Sequence, residues 1–87
     1  MKIIRKKTNP DQFDPIYVGK KKYDFRLADF QIAEGDLLDL QEWYPEKKEY
    51  TGRSIAKRVG FIGKFTTDMF NQREAIEKNG FYIISLE

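Results

Sequence analysis

Gly19-Lys20-Lys21-Lys22-Tyr23-Asp24-Phe25-Arg26 is the stretch on which the reading of this chain turns. A glycine suited to a turn leads through a lysine run into an acid-x-Arg pair with strand character, and Gly35-Asp36 then opens a second strand. Side chains at i and i+2 of a strand share a face. Asp24 and Arg26 therefore stand together, and Tyr23, Phe25 and Leu27 point the other way. Apolar alternation of this kind assigns the Tyr23, Phe25, Leu27 face to the core and the Asp24, Arg26 face to a cleft. On that register Phe25→Ala would cost about 3–5 kcal/mol, as large core truncations do.

Working outward, Ile3–Lys7 reads as a first strand, and Asn9-Pro10-Asp11-Gln12 as a helix start with Asn as cap and Pro at the first helical position. Phe13, Ile16 and Tyr17 are spaced for one helical face, while Pro15 limits the element to one or two tight turns ended by Gly19. Strands are expected over 22–28 and Leu37–Trp43, and Arg53–Ile62 alternates well enough to be the partner of the latter across a loop that includes Tyr50-Thr51-Gly52. Thr67 is placed to cap a short helix from Asp68 to Lys78, with Asn79-Gly80 as its stop, and Phe81–Leu86 is a closing strand. The order is one strand, a short helix, then mainly antiparallel strands with a late helix. That is an α+β, mainly β pattern of about five strands in a small mixed, barrel-like sheet.

The spacing Gly19-x-Lys21-x-x-Asp24-x-Arg26 followed by Gly35-Asp36 resembles the ASCH domains of the PUA-like superfamily, in particular a small bacterial and phage branch of that family. Pro10, Phe13, Asp29, Phe30, Leu38, Glu42-Trp43, Pro45 and Tyr50-Thr51-Gly52-Arg53 also have counterparts in the branch, so the likeness covers roughly the first two thirds of the chain. The sequence departs from the pattern in three places. The family usually carries Glu at Asp24, a small hydroxyl residue at Lys22, and often a His near the start. The resemblance implies a PUA-like pseudo-barrel in which Lys21, Asp24 and Arg26 line a cleft between the barrel and its helices.

Length and composition set independent bounds. A chain of 87 residues has room for a single domain, 1–87, around one small core. Its 13 aromatics (one Trp, five Tyr, seven Phe) are enough to build that core from large side chains. The sequence has neither cysteine nor histidine, which argues against disulfides, thiolate metal sites, zinc and Ser-His catalysis. No metal or other cofactor is expected. The apolar run after Met1 is too short for a signal peptide, and no later run reaches membrane-spanning length, so no membrane association and a cytoplasmic location are expected.

Sixteen basic and 14 acidic residues give a net charge of only +2, unlike a general nucleic-acid binder. The basic residues nevertheless cluster, at Arg5-Lys6-Lys7, at Lys20-Lys21-Lys22 with Arg26, and at Arg53, Lys57 and Arg58. Such clusters are commonly solvated strand edges, where Lys discourages edge-to-edge pairing. If the fold gathers them, one face carries a positive field that the total conceals.

Lys21 and Arg26 suit a phosphate or a base edge, and Asp24 suits an exocyclic amine or the orientation of Arg26. Trp43, Tyr44 and Tyr50, near Arg53 and Arg58, suit stacking on unpaired bases, or else they fill the open end of the barrel. The expected nucleic-acid site thus comprises Lys21, Lys22, Asp24, Arg26, Trp43, Tyr44, Arg53 and Arg58. The expected function is non-catalytic binding of RNA or a nucleotide-like ligand. Two alternatives stand beside it. Some ASCH relatives resemble amidohydrolases of acylated nucleosides that use a Lys and a Thr three residues apart. Here Lys21 matches, but Asp24 holds the Thr position and cannot supply a hydroxyl nucleophile. A protein-interaction or regulatory adaptor, docking through the hairpin aromatics, is the other. Oligomeric state is open.

Overall fold

The computed structural model describes residues 1–65 and 78–87. Among the described residues, five strands and the helix α1 follow in the order β1 (Ile3–Thr8), α1 (Pro10–Tyr17), β2 (Tyr23–Leu27), β3 (Leu37–Tyr44), β4 (Glu49–Phe65) and β5 (Phe81–Leu86). They form one mixed sheet in the order β1-β3-β4-β5-β2, in which β1 and β3 run parallel and every other pair antiparallel. The mainly β, five-stranded architecture expected from the pattern is what the chain adopts. The late helix expected over 68–78 falls almost wholly outside the described residues.

β4 is the spine of the sheet. Its first part pairs with β3, from Tyr44 opposite Glu49 to Leu37 opposite Arg58, and its last part pairs with β5, from Val59 opposite Leu86 to Phe65 opposite Phe81. A strand that changes partner part-way, with a register shift between Val59 and Ile62, bends the sheet. The sheet curls around Leu38, Leu40, Val59, Tyr82, Ile84 and Leu86, and α1 plugs this core with Phe13 and Ile16.

α1 runs for eight residues through Pro15, about two turns, in line with the short helix expected before Gly19. Proline there removes one intrahelical bond, and the helix ends two residues later, so little else is lost. Val18 and Gly19 then donate to the carbonyls of Asp14 and Ile16. The Gly35-Asp36 turn is built on backbone freedom: Gly35 adopts φ 91°, which favours glycine, and Asp36 receives the backbone N–H groups of Lys2 (3.1 Å) and Ala33 (2.9 Å). One buried carboxylate thereby ties the start of β1 to the entry of β3.

The register of β2 is the reverse of that expected. Asp24 is 4% exposed and Phe25 54% exposed. Pairing fixes this outcome. Asp24 lies opposite Ile84 and Arg26 opposite Tyr82, both on the core side of β5, and Phe25 lies opposite Ile83 on the outer side. Phe25 instead meets the ring of Phe81 at 4.7 Å, and Phe81 meets Phe65 at 5.9 Å, in an aromatic row on the outer face. Asp24 and Arg26 do share a face, as the period of two requires, but that face looks inward.

Candidate nucleic-acid interface

The inward Asp24–Arg26 pair has a structural task. Arg26 donates from Nε and from NH2 (3.0 Å) to the two carboxylate oxygens of Asp24, a bidentate geometry. The same guanidinium reaches across to β1, donating to the Lys7 carbonyl (3.4 Å) and to Thr8 Oγ1 (3.3 Å). β1 and β2 are the two edges of the sheet, so Arg26 latches its open seam.

Along that seam lies a cleft of about 480 Å³ lined by Arg5, Lys6, Lys7, Arg26, Leu27, Asp29, Gln41 and Tyr50. Parallel pairing of β1 with β3 sets Arg5 opposite Asp39 and Lys7 opposite Gln41. Arg5 Nε approaches Asp39 at 3.4 Å, an exposed contact of little energetic worth. Among the described residues, Lys6 and Lys7 have no carboxylate partner and rest on aromatic rings instead. The Lys6 ammonium lies 3.9 Å from the Phe30 ring centre, and that of Lys7 lies 3.8 Å from the Trp43 ring centre and 6.0 Å from that of Tyr50. A cation held this way gives up only about 0.5–2 kcal/mol on leaving, so both lysines are available to an anion. Tyr50, edge-on to Trp43 at 4.9 Å, keeps half its surface exposed beside them.

The expected site residues are distributed over several places. Lys21 and Lys22 line a separate cleft of about 290 Å³ with Lys57 and Glu87, and Lys21 Nζ donates to Gln12. They do not join Arg26, so Lys21, Asp24 and Arg26 form no single constellation. Trp43 lies beneath Lys7. Tyr44 lies by the hairpin turn under Lys47 (5.3 Å), and Arg58 faces Glu87 at 3.7 Å. The cluster that matters, Arg5-Lys6-Lys7, is the one that single-cluster reasoning assigns to a solvated strand edge, and only the pairing of β1 beside the β2 seam turns it into a cleft wall. Gln41 carried no local signal, and Asp29 stood out only as one of the positions shared with the resembled branch.

Arg53 serves the core. Between the pairs Gln41–Ser54 and Trp43–Tyr50, Glu42 alone stands opposite Thr51, Gly52 and Arg53, a bulge made possible by Gly52 at φ 98°. Thr51-Gly52 is thus part of a bulge within β4 and not a hairpin loop, and the turn itself spans 45–48. The bulge aims Thr51 Oγ1 (2.6 Å) and Arg53 Nε and NH2 (both 2.9 Å) at the buried Glu42 carboxylate. The Arg53 guanidinium also lies over the rings of Phe13 (5.2 Å) and Tyr17 (4.8 Å), and reaches Asp14 at 3.4 Å.

Donation from Arg53, then from Thr51, holds the Glu42 carboxyl below its ordinary value of about 4.5 and outweighs the opposing effect of burial. The backbone N–H groups of Lys2 and Ala33 likewise hold Asp36 below about 3.8. Carboxylates with depressed folded-state values bind protons less readily folded than unfolded, so their stabilisation is present above the unfolded values and is lost as pH falls through the folded ones. The urea midpoint should therefore be flat down to about pH 5 as regards these two groups and should fall from about pH 4.5 downward. Glu42→Gln should make that fall shallower. An equally steep acid limb in the variant would show that Glu42 does not drive it.

Among the described residues no group of three or more metal-ligating side chains is gathered, and no helix is long and apolar enough to cross a membrane. A short plugging helix and a curled five-stranded mixed sheet with a basic cleft along its seam define a small β-rich domain. The chain belongs to the family described as Domain of unknown function (DUF3850), whose model matches residues 4–77. It is 36% identical over 58 residues to the "Uncharacterized 12.9 kDa protein in GpA 3'region" of Escherichia phage P2. That match covers 67% of this chain and 51% of the phage protein, so the chain spans about half the length of that relative.

Proposed function

We propose that the chain is a cytoplasmic, ASCH-type PUA-like module that binds single-stranded RNA or a nucleotide, without catalysis, in the cleft along the β1–β2 seam. The observation that carries this reading is the convergence of Arg5, Lys6, Lys7 and Arg26 on one cleft with a half-exposed tyrosine ring. Lys6 and Lys7 supply mobile point charges for phosphates, and Tyr50 supplies a face on which an unpaired base stacks. Arg26 adds charge to the wall while its guanidinium stays committed to Asp24 and β1. The cleft volume of about 480 Å³ is within the range of small-ligand sites, roughly 300–1,000 Å³. The amidohydrolase alternative draws less support, because Lys21 is bonded to Gln12 in another cleft and Asp24 is held in the interior by Arg26.

Fluorescence anisotropy with a labelled single-stranded RNA of mixed sequence tests the reading. With few phosphate contacts and a net charge of +2, affinity is expected on the order of micromolar or weaker, falling with salt by about 0.7 log units per contact per decade. Lys6→Ala with Lys7→Ala should weaken binding about tenfold or more and reduce the salt slope by about 1.4. Lys47→Ala with Lys48→Ala, on the hairpin turn, should change neither. Loss of binding instead on replacing Lys21 and Lys22 would move the site to the smaller cleft. Absence of binding by the parent protein at low salt would reject the reading.

A further inference from the structure

Among the described residues that line the seam cleft, Asp29 alone is acidic. Its neighbours in charge are already engaged: Asp24 with Arg26, Asp39 with Arg5, and Glu42 with Arg53. Asp29, exposed and set among four cations, forms no hydrogen bond and no ion pair among the described residues. Its place is nonetheless fixed on both sides. Ala28 N donates to the Gly80 carbonyl at 3.0 Å, and the Phe30 carbonyl accepts from the Tyr82 hydroxyl at 2.8 Å. The Phe30 ring packs edge-on against Tyr82 at 5.3 Å and carries the Lys6 ammonium on its face. A carboxylate that opposes the field of its own cleft weakens phosphate binding, so a ligand that gains from it must bring hydrogen-bond donors.

We propose that the cleft selects guanine, with the two oxygens of Asp29 accepting from the N1–H and the 2-amino group of an unpaired guanine nucleotide. This rests on the nucleotide-binding reading and specifies its base. A carboxylate offers two acceptors side by side and no donor. On the Watson–Crick edge, guanine presents two adjacent donors that match them. Adenine and cytosine present one amino donor beside a ring-nitrogen acceptor, and uracil presents one imino donor between two carbonyls, so each sets an acceptor against a carboxylate oxygen. The fork-to-carboxylate match is the one that makes arginine–carboxylate pairs bidentate. Tyr50 gives the base a stacking face, and Lys6 and Lys7 hold the adjoining phosphate.

The test uses labelled uridine hexamers carrying a single central guanine, adenine, cytosine or inosine, titrated against the parent protein and Asp29→Asn, with 5′-GMP and 5′-AMP as unlabelled competitors. The guanine hexamer should bind about tenfold tighter than the adenine, cytosine or all-uridine ones, as a bidentate base contact at an exposed site allows. Inosine, which keeps N1–H but lacks the 2-amino group, should fall between. In Asp29→Asn the guanine advantage should vanish, while binding of the other hexamers stays equal or tightens because a negative charge has left the cleft. An unchanged salt slope there shows that the variant keeps its fold and its phosphate contacts. Competition by 5′-GMP over 5′-AMP would show that a free nucleotide suffices, and competition by neither, with the hexamer preference intact, that flanking phosphates of a strand are needed for the same contact. Equal binding of all hexamers by the parent overturns guanine selection and leaves the nucleic-acid reading standing. A guanine preference that survives in Asp29→Asn overturns the assignment to Asp29. No binding of any hexamer at low salt removes the underlying reading and this inference with it.

Discussion

Asp24→Ala is expected to destabilise the fold by about 3–5 kcal/mol, because removing one member of a buried, hydrogen-bonded ion pair leaves the other without compensation. Against a total stability of about 5–15 kcal/mol for a small domain, that is a large share. The loss should exceed that of an ordinary ion pair. The Arg26 guanidinium that Asp24 orients also bonds Lys7 and Thr8 across the seam, so the latch between the sheet edges loosens with it. Phe25→Ala, one residue along, should cost no more than about 1.5 kcal/mol. That ring is half in solvent, and what it gives up is chiefly its contact with Phe81. Urea unfolding of the two variants decides the matter. A larger loss for Phe25→Ala than for Asp24→Ala would mean that the opposite face of β2 is the buried one.

Phe13→Ala should cost a similar amount, about 3–5 kcal/mol, by emptying the place that α1 fills in the curl of the sheet. Phe13 is fully buried, whereas Tyr17, one turn on and stacked against it at 5.4 Å, is nearly half exposed. Tyr17→Ala should therefore lower stability by only about 1 kcal/mol. In a domain of this size each kcal/mol lowers Tm by about 4–8 °C, so thermal melts should separate the two variants widely. Both rings lie under the Arg53 guanidinium, and the emptied Phe13 site should also loosen the Arg53–Glu42 contact. A shallower acid limb in Phe13→Ala would register that second effect. Near-equal melting of the two variants would show that α1 is not anchored through Phe13.

Element positions were legible in the sequence because each rests on a local rule. Alternation placed β1, β3 and β5 to within a residue or so, and Asn9-Pro10 located the start of α1. The glycines at 19 and 35 mark turns with positive φ because few other residues adopt that backbone. The same rules fell short at β4, whose start at Glu49 and internal bulge at Gly52 depend on the opposing strand. The basic clusters were equally visible, but which of them adjoin was not.

The sequence by itself determined that Asp24 and Arg26 share a face, that Phe13 and Ile16 form one helical stripe, and that the chain has no histidine or cysteine chemistry. These follow from covalent periodicity and composition, which need no partner. Only the tertiary structure decided which face of β2 turns inward. A period-two pattern is symmetric under exchange of its two faces, and the choice was made by pairing with β5 and by the need of Asp24 and Arg26 to close the gap between the edge strands. Tertiary structure also decided that Arg5, Lys6 and Lys7 join Arg26 while Lys21 and Lys22 face another cleft. That choice lies in the parallel pairing of β1 with β3, a contact between residues more than thirty positions apart, and no local propensity encodes it.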